Sequence, residues 1–594
     1  MGVQYRAHKV KREDRADGSI ILTSGYDMSP VAEKTGVWVD RWAAEAPDRV
    51  FIAERDGEGW REVSYAETRR IVRELAGGLL ARGVSAPLVV ISGNGVDHGL
   101  LTLAAQYIGV PTVPLAEQYS LIPEARGQLE HCVEVVKPAV VFADDGARYG
   151  EALAMPIFDG MLKVVAKNAS GDMLLLSDLM GSDAGVDAAA AAVGPNTVAK
   201  YLMTSGSTSH PKAVVTTQRM MCANQAQILD ALPFLGDPAK PPVVVDWLPW
   251  NHVFGGSHNF NMMLSNGGTF YVDGGKPTPA LMGLSIENNR MKSGTLAFNV
   301  PVGFAKMRDA MKADEALRDM YFSGLDMLFY AGASLPQDVW NDLEDMAREV
   351  TGTVPLMNSS WGLTETGPAC LIQHEPTHMS GIVGVPMTGV EVKLIPDDEM
   401  RCEVRVRGPN IMPEYLNDPE KTAEAFDEEG FFLTGDAMKF VDPEDIDKGM
   451  KFDGRISEDF KLLTGTWVRA ANLRLDLLRD LAPLAADLVI CGADKGEIGV
   501  LVFPSQACMD MAVQEGELYC SEVLHHELAK KLRARGEHGS ATRVSRALVM
   551  CEPPSLGDGE ITAKGNLNFR KVQARRAGLV ARLYDDSDPQ VVRV

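Results

Sequence analysis

Residues 204–213 read Thr-Ser-Gly-Ser-Thr-Ser-His-Pro-Lys-Ala. Such a stretch suits a loop around a polyphosphate. The hydroxyls and backbone N–H groups of Thr204, Ser205, Gly206, Ser207 and Thr208 can surround phosphate oxygens, and Lys212 adds a point charge. The pattern falls short of the G-x-x-x-x-G-K-[ST] phosphate loop in an informative way. Pro211, which has no N–H to donate, stands where the second glycine belongs, and Ala213 stands where a magnesium-binding hydroxyl belongs. Apolar residues precede the loop (198–203) and a β-rich run follows it (213–217), so the loop is expected to join two strands. A P-loop NTPase would open into a helix there.

The chain has 594 residues, too many for one core, so two or more domains are expected. Its 58 basic and 81 acidic residues give a net charge of −23. That balance argues against nucleic acid or an anionic membrane surface as the main partner, and leaves an anionic ligand to a few local cations. Eight cysteines show no C-x-x-C pair and read as reduced, buried or half-buried thiols. No apolar run approaches the roughly 20 residues of a membrane span, and the polar N-terminus lacks the apolar core of a signal peptide. A cytoplasmic protein without integral membrane association is expected, and a homodimer is left open.

From about Trp38 to Met412, apolar β-type runs (88–91, 140–142, 243–245, 327–330) alternate with amphipathic stretches at 65–82 and 337–350, which indicates an α/β domain. The Ala-rich run 188–193 reads as a linker or helix end. Residues 403–455 read as a small antiparallel region, and a compact α/β pattern follows. We place a boundary near residues 454–457, giving an N-terminal domain of 1–454 and a C-terminal domain of 455–594.

Further segments carry chemistry. In Trp361-Gly-Leu-Thr364-Glu365-Thr366, Trp361 offers a flat face for a base, Thr364 a hydroxyl for a phosphate, and Glu365 a hard oxygen for Mg²⁺. The same hexapeptide alone reads equally as a loop and helix N-cap. Gly332, Ala333 and Ser334 would let backbone approach a planar ligand. His252 precedes Phe254 and a flexible Gly255-Gly256 pair. Asp436 ends a short strand, where a carboxylate can accept both hydroxyls of a ribose with Arg455 assisting. Lys564 stands isolated in a polar, turn-rich segment.

In this order, the segments resemble the adenylate-forming superfamily of acyl-CoA synthetases, aryl-CoA ligases, luciferases and peptide-synthetase adenylation domains, over about residues 35–575. The finer texture is similar to feruloyl-CoA synthetases, through Pro211-Lys-Ala-Val, Thr217-Gln-Arg-Met, Cys222-Ala-Asn-Gln, Asp246-Trp-Leu-Pro-Trp-Asn-His, Gly274-Gly-Lys-Pro-Thr-Pro and Glu458-Asp-Phe-Lys-Leu-Leu-Thr-Gly-Thr-Trp. The resemblance implies an α/β fold with a large multi-subdomain N-terminal domain and a small mobile α+β C-terminal domain. It implies ATP, Mg²⁺ and coenzyme A as partners of a carboxylic acid, here a hydroxycinnamate. A medium-chain or other aryl acyl-CoA synthetase is the alternative, and a non-catalytic nucleotide-binding regulator a third reading.

By the same resemblance, Thr204 to Lys212 hold the β- and γ-phosphates, Thr364 the α-phosphate and Glu365 the Mg²⁺. Trp361 lies near adenine against the backbone of Gly332, Ala333 and Ser334, while Asp436 and Arg455 hold the ribose. Lys461 is expected on the cofactor side. Lys564 enters for adenylation, with Lys571 as the alternative lysine. His252 stands between nucleotide and acid, and Phe254, Val300, Pro301, Gly303 and Ser360 line the acid pocket. The chain departs from the family pattern at Ser209-His210, Ser360, hinge residue Ser457, and Lys564-Gly565, where Gly-Lys is usual.

Overall fold

The computed structural model describes residues 3–204, 211–535, 539–555, 557–561 and 567–594. Strands and helices fall where the apolar spacing changes from period 2 to period 3.6. The helix Tyr65–Ala81 starts at Ser64, whose Oγ accepts from the Glu67 N–H at 3.3 Å, and buries Val72, Leu75, Ala76 and Leu79. The helix Gln337–Thr351 ends at Gly352, whose φ of +72° admits the left-handed turn that stops it. The Ala-rich run closes the seven-residue helix Val186–Ala192.

Two large sheets organise the N-terminal part. In one, Thr112–Pro114, Leu88–Val90, Val140–Asp145 and Leu162–Lys167 run parallel. Val198–Thr204 joins them beside Thr112–Pro114, and Lys212–Thr217 returns antiparallel at the edge. The expected strand–loop–strand is therefore present. Residues 205–210 themselves lie outside the described residues.

The other sheet has 15 strands. Its centre is parallel: Thr269–Val272, Val243–Asp246, Leu296–Asn299, Met327–Tyr330 and Leu356–Gly362 lie side by side. Crossover helices cover it, so its strands read as near-continuous apolar runs. Residues 403–455 are not a separate small region, as their composition suggested. Cys402–Arg407 pairs with Glu391–Pro396, and Met450–Arg455 pairs with Ile382–Pro386, so these strands continue the large sheet. The hairpin Val10–Asp14/Ile20–Ser24 adds two more strands beyond Glu391–Pro396, from a segment whose charge hid its strand character.

Residues from Leu462 onward form hydrophobic cores of their own around the sheet Ala485–Cys491, Ile498–Pro504, Val544–Val549 and Val592–Arg593. Arg401 bridges to them: its Nε donates to Asp453 Oδ2 at 2.9 Å and its Nη2 lies 2.8 Å from Asp459 Oδ2, while Asn472 donates to Asp453 Oδ1 at 3.0 Å. All eight cysteines are free thiols, seven of them buried. Among the described residues, no helix is long and apolar enough to cross a membrane.

Candidate functional site

Candidate residues come together where several strands end. Thr204 and Lys212 face each other across the last pair of their ladder, so the hydroxyl-rich loop leaves from that point. The Lys212 ammonium lies 3.8 Å from the centre of the Tyr415 ring, and the Tyr415 hydroxyl donates to Glu365 Oε1 at 2.9 Å. A cation, an aromatic face and a carboxylate therefore share one corner. Burial pulls the Lys212 pKa below the ordinary lysine range, while the Glu365 charge opposes that shift.

Glu365 sits in the single turn Thr364–Thr366, followed by the cis peptide Gly367-Pro368. Its carbonyl accepts from the Met412 N–H at 2.8 Å, which ties this turn to the segment carrying Tyr415. Tyr415 was not anticipated from the sequence. A tyrosine between Glu414 and Leu416, 50 residues beyond Glu365, carries no local signal of this contact.

A second cluster forms around Asp436. Trp361 ends the strand Leu356–Gly362 and its indole Nε1 donates to Asp436 Oδ2 at 2.9 Å. Asp436 and Arg455 are partners across two neighbouring strands, with Arg455 Nε 3.3 Å from Asp436 Oδ1. The carboxylate is 2% exposed, yet Oδ1 lacks a hydrogen-bonding donor among the described residues. A buried carboxylate oxygen with an open lone pair is what a ligand hydroxyl requires. Burial raises the Asp436 pKa and the charge of Glu365 adds to that rise, so the two clusters sense each other; Arg455 and Trp361 oppose it.

The acid-side segments leave adjacent strands. Val300 and Pro301 follow Leu296–Asn299, with Pro301 opening the helix Pro301–Ala313. Gly303 is dictated by packing, since a Cβ there would stand 1.8 Å from Asn299 Oδ1. Asn299 Oδ1 in turn accepts from Val300 N–H at 2.9 Å and Trp247 Nε1 at 3.2 Å. Gly332, Ala333 and Ser334 are exposed just past Met327–Tyr330, and Ser360 is half-buried next to Trp361.

His252 accepts from the Phe254 N–H through Nδ1 at 3.2 Å, and its carbonyl accepts from Gly256 N–H at 2.8 Å, starting the π-helical turn Phe254–Asn259. The Gly255-Gly256 pair is not a flexible element. Added Cβ atoms would stand 2.3 Å from the Leu248 carbonyl and 2.1 Å from the Trp250 carbonyl, so these glycines permit close backbone packing.

Lys461 lies on the hairpin Phe460–Lys461/Trp467–Val468 with its ammonium 5.1 Å from the Trp467 ring centre. Lys571 lies in the first turn of the helix Phe569–Arg575 and its N–H donates to the capping Asn568 Oδ1 at 3.2 Å, while the Ser457 carbonyl accepts from Arg570 at 2.8 Å. Ser205, Gly206, Ser207, Thr208 and Lys564 lie outside the described residues.

A buried lysine that motif reading passed over lies beneath this region. Lys200, on Val198–Thr204, is 3% exposed and donates to the Gly256 carbonyl; no carboxylate among the described residues pairs with it. Burial lowers its pKa to about 7. The folded protein thus releases a proton that the unfolded chain keeps up to the ordinary lysine value of 10.5. The stability penalty is fully present below about pH 7 and fades as pH rises towards 10.5. Lys200→Met is expected to stabilise the fold by about 1–4 kcal/mol near neutral pH. Its advantage over the wild type should shrink as pH rises from about 7 towards 10. Chemical denaturation at several pH values reads this directly, and a gap independent of pH would refute it.

The donor set fits magnesium nucleotide. Glu365 is a half-buried carboxylate, and no group of three or more His, Cys, Asp or Glu side chains among the described residues could hold a metal alone. Such a site suits Mg²⁺, which is commonly held by one or two carboxylates together with substrate phosphates and water.

The chain is 29% identical over 417 residues to 4-coumarate–CoA ligase 1 of Oryza sativa subsp. japonica, covering 66% of this chain and 69% of that one. The adenylation domain of a carboxylic acid reductase from Segniliparus rugosus, solved with AMP and a carboxylic acid, has the same fold. Its TM-score is 0.69 at 19% identity, over 93% of this chain and 94% of that one. ATP-bound MatB from Rhodopseudomonas palustris matches with a TM-score of 0.66 at 19% identity, over 92% and 100% of the two chains. Residues 39–416 match the family model described as AMP-binding enzyme. The chain belongs to that family, as the ordered sequence motifs had suggested.

Proposed function

We propose that the protein is an AMP-forming acid–CoA ligase whose acid is a hydroxycinnamate of the ferulate or 4-coumarate type. The observation that carries this reading is a pair of clusters, Lys212–Tyr415–Glu365 and Trp361–Asp436–Arg455, close enough for the Glu365 charge to act on Asp436, in a chain whose His252 segment also carries an aromatic wall that includes Phe254. The first cluster suits phosphates and the second suits a nucleoside. The aromatic wall suits a planar acid.

In the first half-reaction a carboxylate oxygen of the acid attacks the α-phosphorus of ATP. The bond to the bridging oxygen breaks and pyrophosphate leaves. In the second, the thiolate of coenzyme A attacks the acyl carbon and AMP leaves with the bonding pair. Neither displacement requires a protein nucleophile. The chain's contribution is alignment and charge neutralisation. Lys212 and Thr364 face the phosphates, Glu365 supplies an oxygen to Mg²⁺, Asp436 and Arg455 fix the ribose, and His252 stands at the acid side. Mg²⁺, when bound, neutralises phosphate charge. We assign Lys564 to the adenylation step.

The test is an assay for AMP and thioester with ferulate, 4-coumarate, benzoate, octanoate and malonate. Thioester from the hydroxycinnamates at the highest kcat/KM is expected. Preference for octanoate or malonate would replace the substrate class, and ATP binding without acid-dependent pyrophosphate release would make the chain a non-catalytic nucleotide binder.

A further inference from the structure

The π-helical turn that follows His252 carries a second histidine, His258, which is 1% exposed. Its ring is surrounded by three phenylalanines, with centroids 5.6 Å from Phe254, 5.8 Å from Phe298 and 5.0 Å from Phe329. Each lies on a segment assigned above to the acid: Phe254 is two residues beyond His252, Phe298 immediately precedes Asn299 and Val300, and Phe329 lies in the strand that leads to Gly332.

The hydrogen-bond chain behind the ring defines its tautomer. His258 Nδ1 lies 2.8 Å from Asn259 Oδ1, an atom that can only accept, so Nδ1 carries the hydrogen. The Asn259 amide is held in that orientation because its Nδ2 donates to the buried Asp246 Oδ2 at 2.8 Å. Asp246 is anchored by the Leu248 N–H, which donates to Oδ1 at 2.9 Å. Nε2 therefore presents a lone pair. It has no hydrogen-bond partner among the described residues, although it is buried in an aromatic cage. An apolar residue in that cage would avoid the desolvation of an unpaired nitrogen.

We infer that His258 is a specificity residue whose Nε2 accepts a hydrogen bond from a hydroxyl on the aromatic ring of the acid, and that the Asp246–Asn259 pair holds it as an acceptor. This rests on the proposed hydroxycinnamate–CoA ligase reading and names the residue that would select for the phenolic hydroxyl of that acid. The cage supplies ring contacts to the aryl group and the imidazole supplies the one polar contact at its far end. Burial keeps the imidazole neutral, which agrees with an acceptor role.

The experiment compares kcat/KM for 4-coumarate, 4-methoxycinnamate and cinnamate in the wild type and in His258→Leu. The methoxy compound keeps the bulk and lacks the donor. The wild type is expected to prefer 4-coumarate by about 10- to 100-fold over both analogues, because they leave Nε2 unpaired. His258→Leu should lose that preference through a drop on 4-coumarate alone. In the wild type, the ¹⁵N shift of His258 Nε2 should move on binding 4-coumarate and stay in place with 4-methoxycinnamate. Equal use of the three acids by the wild type overturns the inference even if the variant fails to fold, and so does a preference that survives His258→Leu. Failure to form thioester from any aryl acid would overturn the ligase substrate class and this inference together, whereas use of aryl acids without hydroxyl preference overturns only the inference.

Discussion

Asp436→Ala is expected to weaken nucleotide binding by about 100- to 1,000-fold, read as the Kd for AMP by calorimetry. Two hydrogen bonds to a charged acceptor, each contributing about 1.5–3 kcal/mol, account for a loss of that size. The substitution removes the open Oδ1 lone pair proposed for the ribose. It also strips the buried Trp361 Nε1 of its partner and leaves Arg455 without the carboxylate 3.3 Å away. Arg455→Ala should cost far less, because its side chain is 52% exposed and water screens the pair. Equal losses in the two variants, or an unchanged Kd in Asp436→Ala, would remove Asp436 from the ribose site.

Lys564→Ala is expected to lower acid-dependent pyrophosphate release by about 100- to 1,000-fold, the range seen when one preorganised donor is removed from a developing oxyanion. Thioester formation from supplied acyl-AMP should be largely preserved. Residue 564 lies outside the described residues, but both flanks are held. Ile561 and Leu567 form an antiparallel bridge. Glu560, fully buried, accepts Arg576 Nε and Nη2, each at 2.8 Å, and Ser555 N–H at 2.9 Å. A buried pair of this kind stays ordered only while both partners remain, so a damaged C-terminal core would show as loss of both half-reactions. Equal loss in Lys564→Ala would therefore mean a structural role, and selective loss in Lys571→Ala would move the assignment there.

Much of the framework was readable without coordinates. The strand–loop–strand around residues 204–213, the helix at 65–82 and the run at 327–330 follow from short-range spacing, which a linear chain displays openly. The antiparallel segment 403–455 was read as strands but not as part of the large sheet. Pairing partners such as Ile382–Pro386 lie too far along the chain for any local pattern to announce them. The N-terminal hairpin was missed because the charged residues of an edge strand mimic a polar tail. Gly255-Gly256 was misjudged for a related reason: a glycine pair looks identical in sequence whether it supplies freedom or merely space.

The site divides along the same line. Residue types at Lys212, Thr364, Glu365, Asp436 and Arg455 suggested the proposed chemistry, because a cation, a hydroxyl and carboxylates suit phosphate, a hard cation and ribose. The sequence by itself determined the family, the ordered set of polar groups and the acidic background against which a few cations must act. Only the tertiary structure decided that Tyr415 joins Lys212 to Glu365 and that Trp361 grips Asp436 from 75 residues away. It also decided that, among the described residues, Lys200 is buried without a counter-charge and His258 carries an unpaired nitrogen on a ring packed among three phenylalanines. Which polar atoms lose their water, and which neighbours replace it, depends on segments that meet only after the chain has packed.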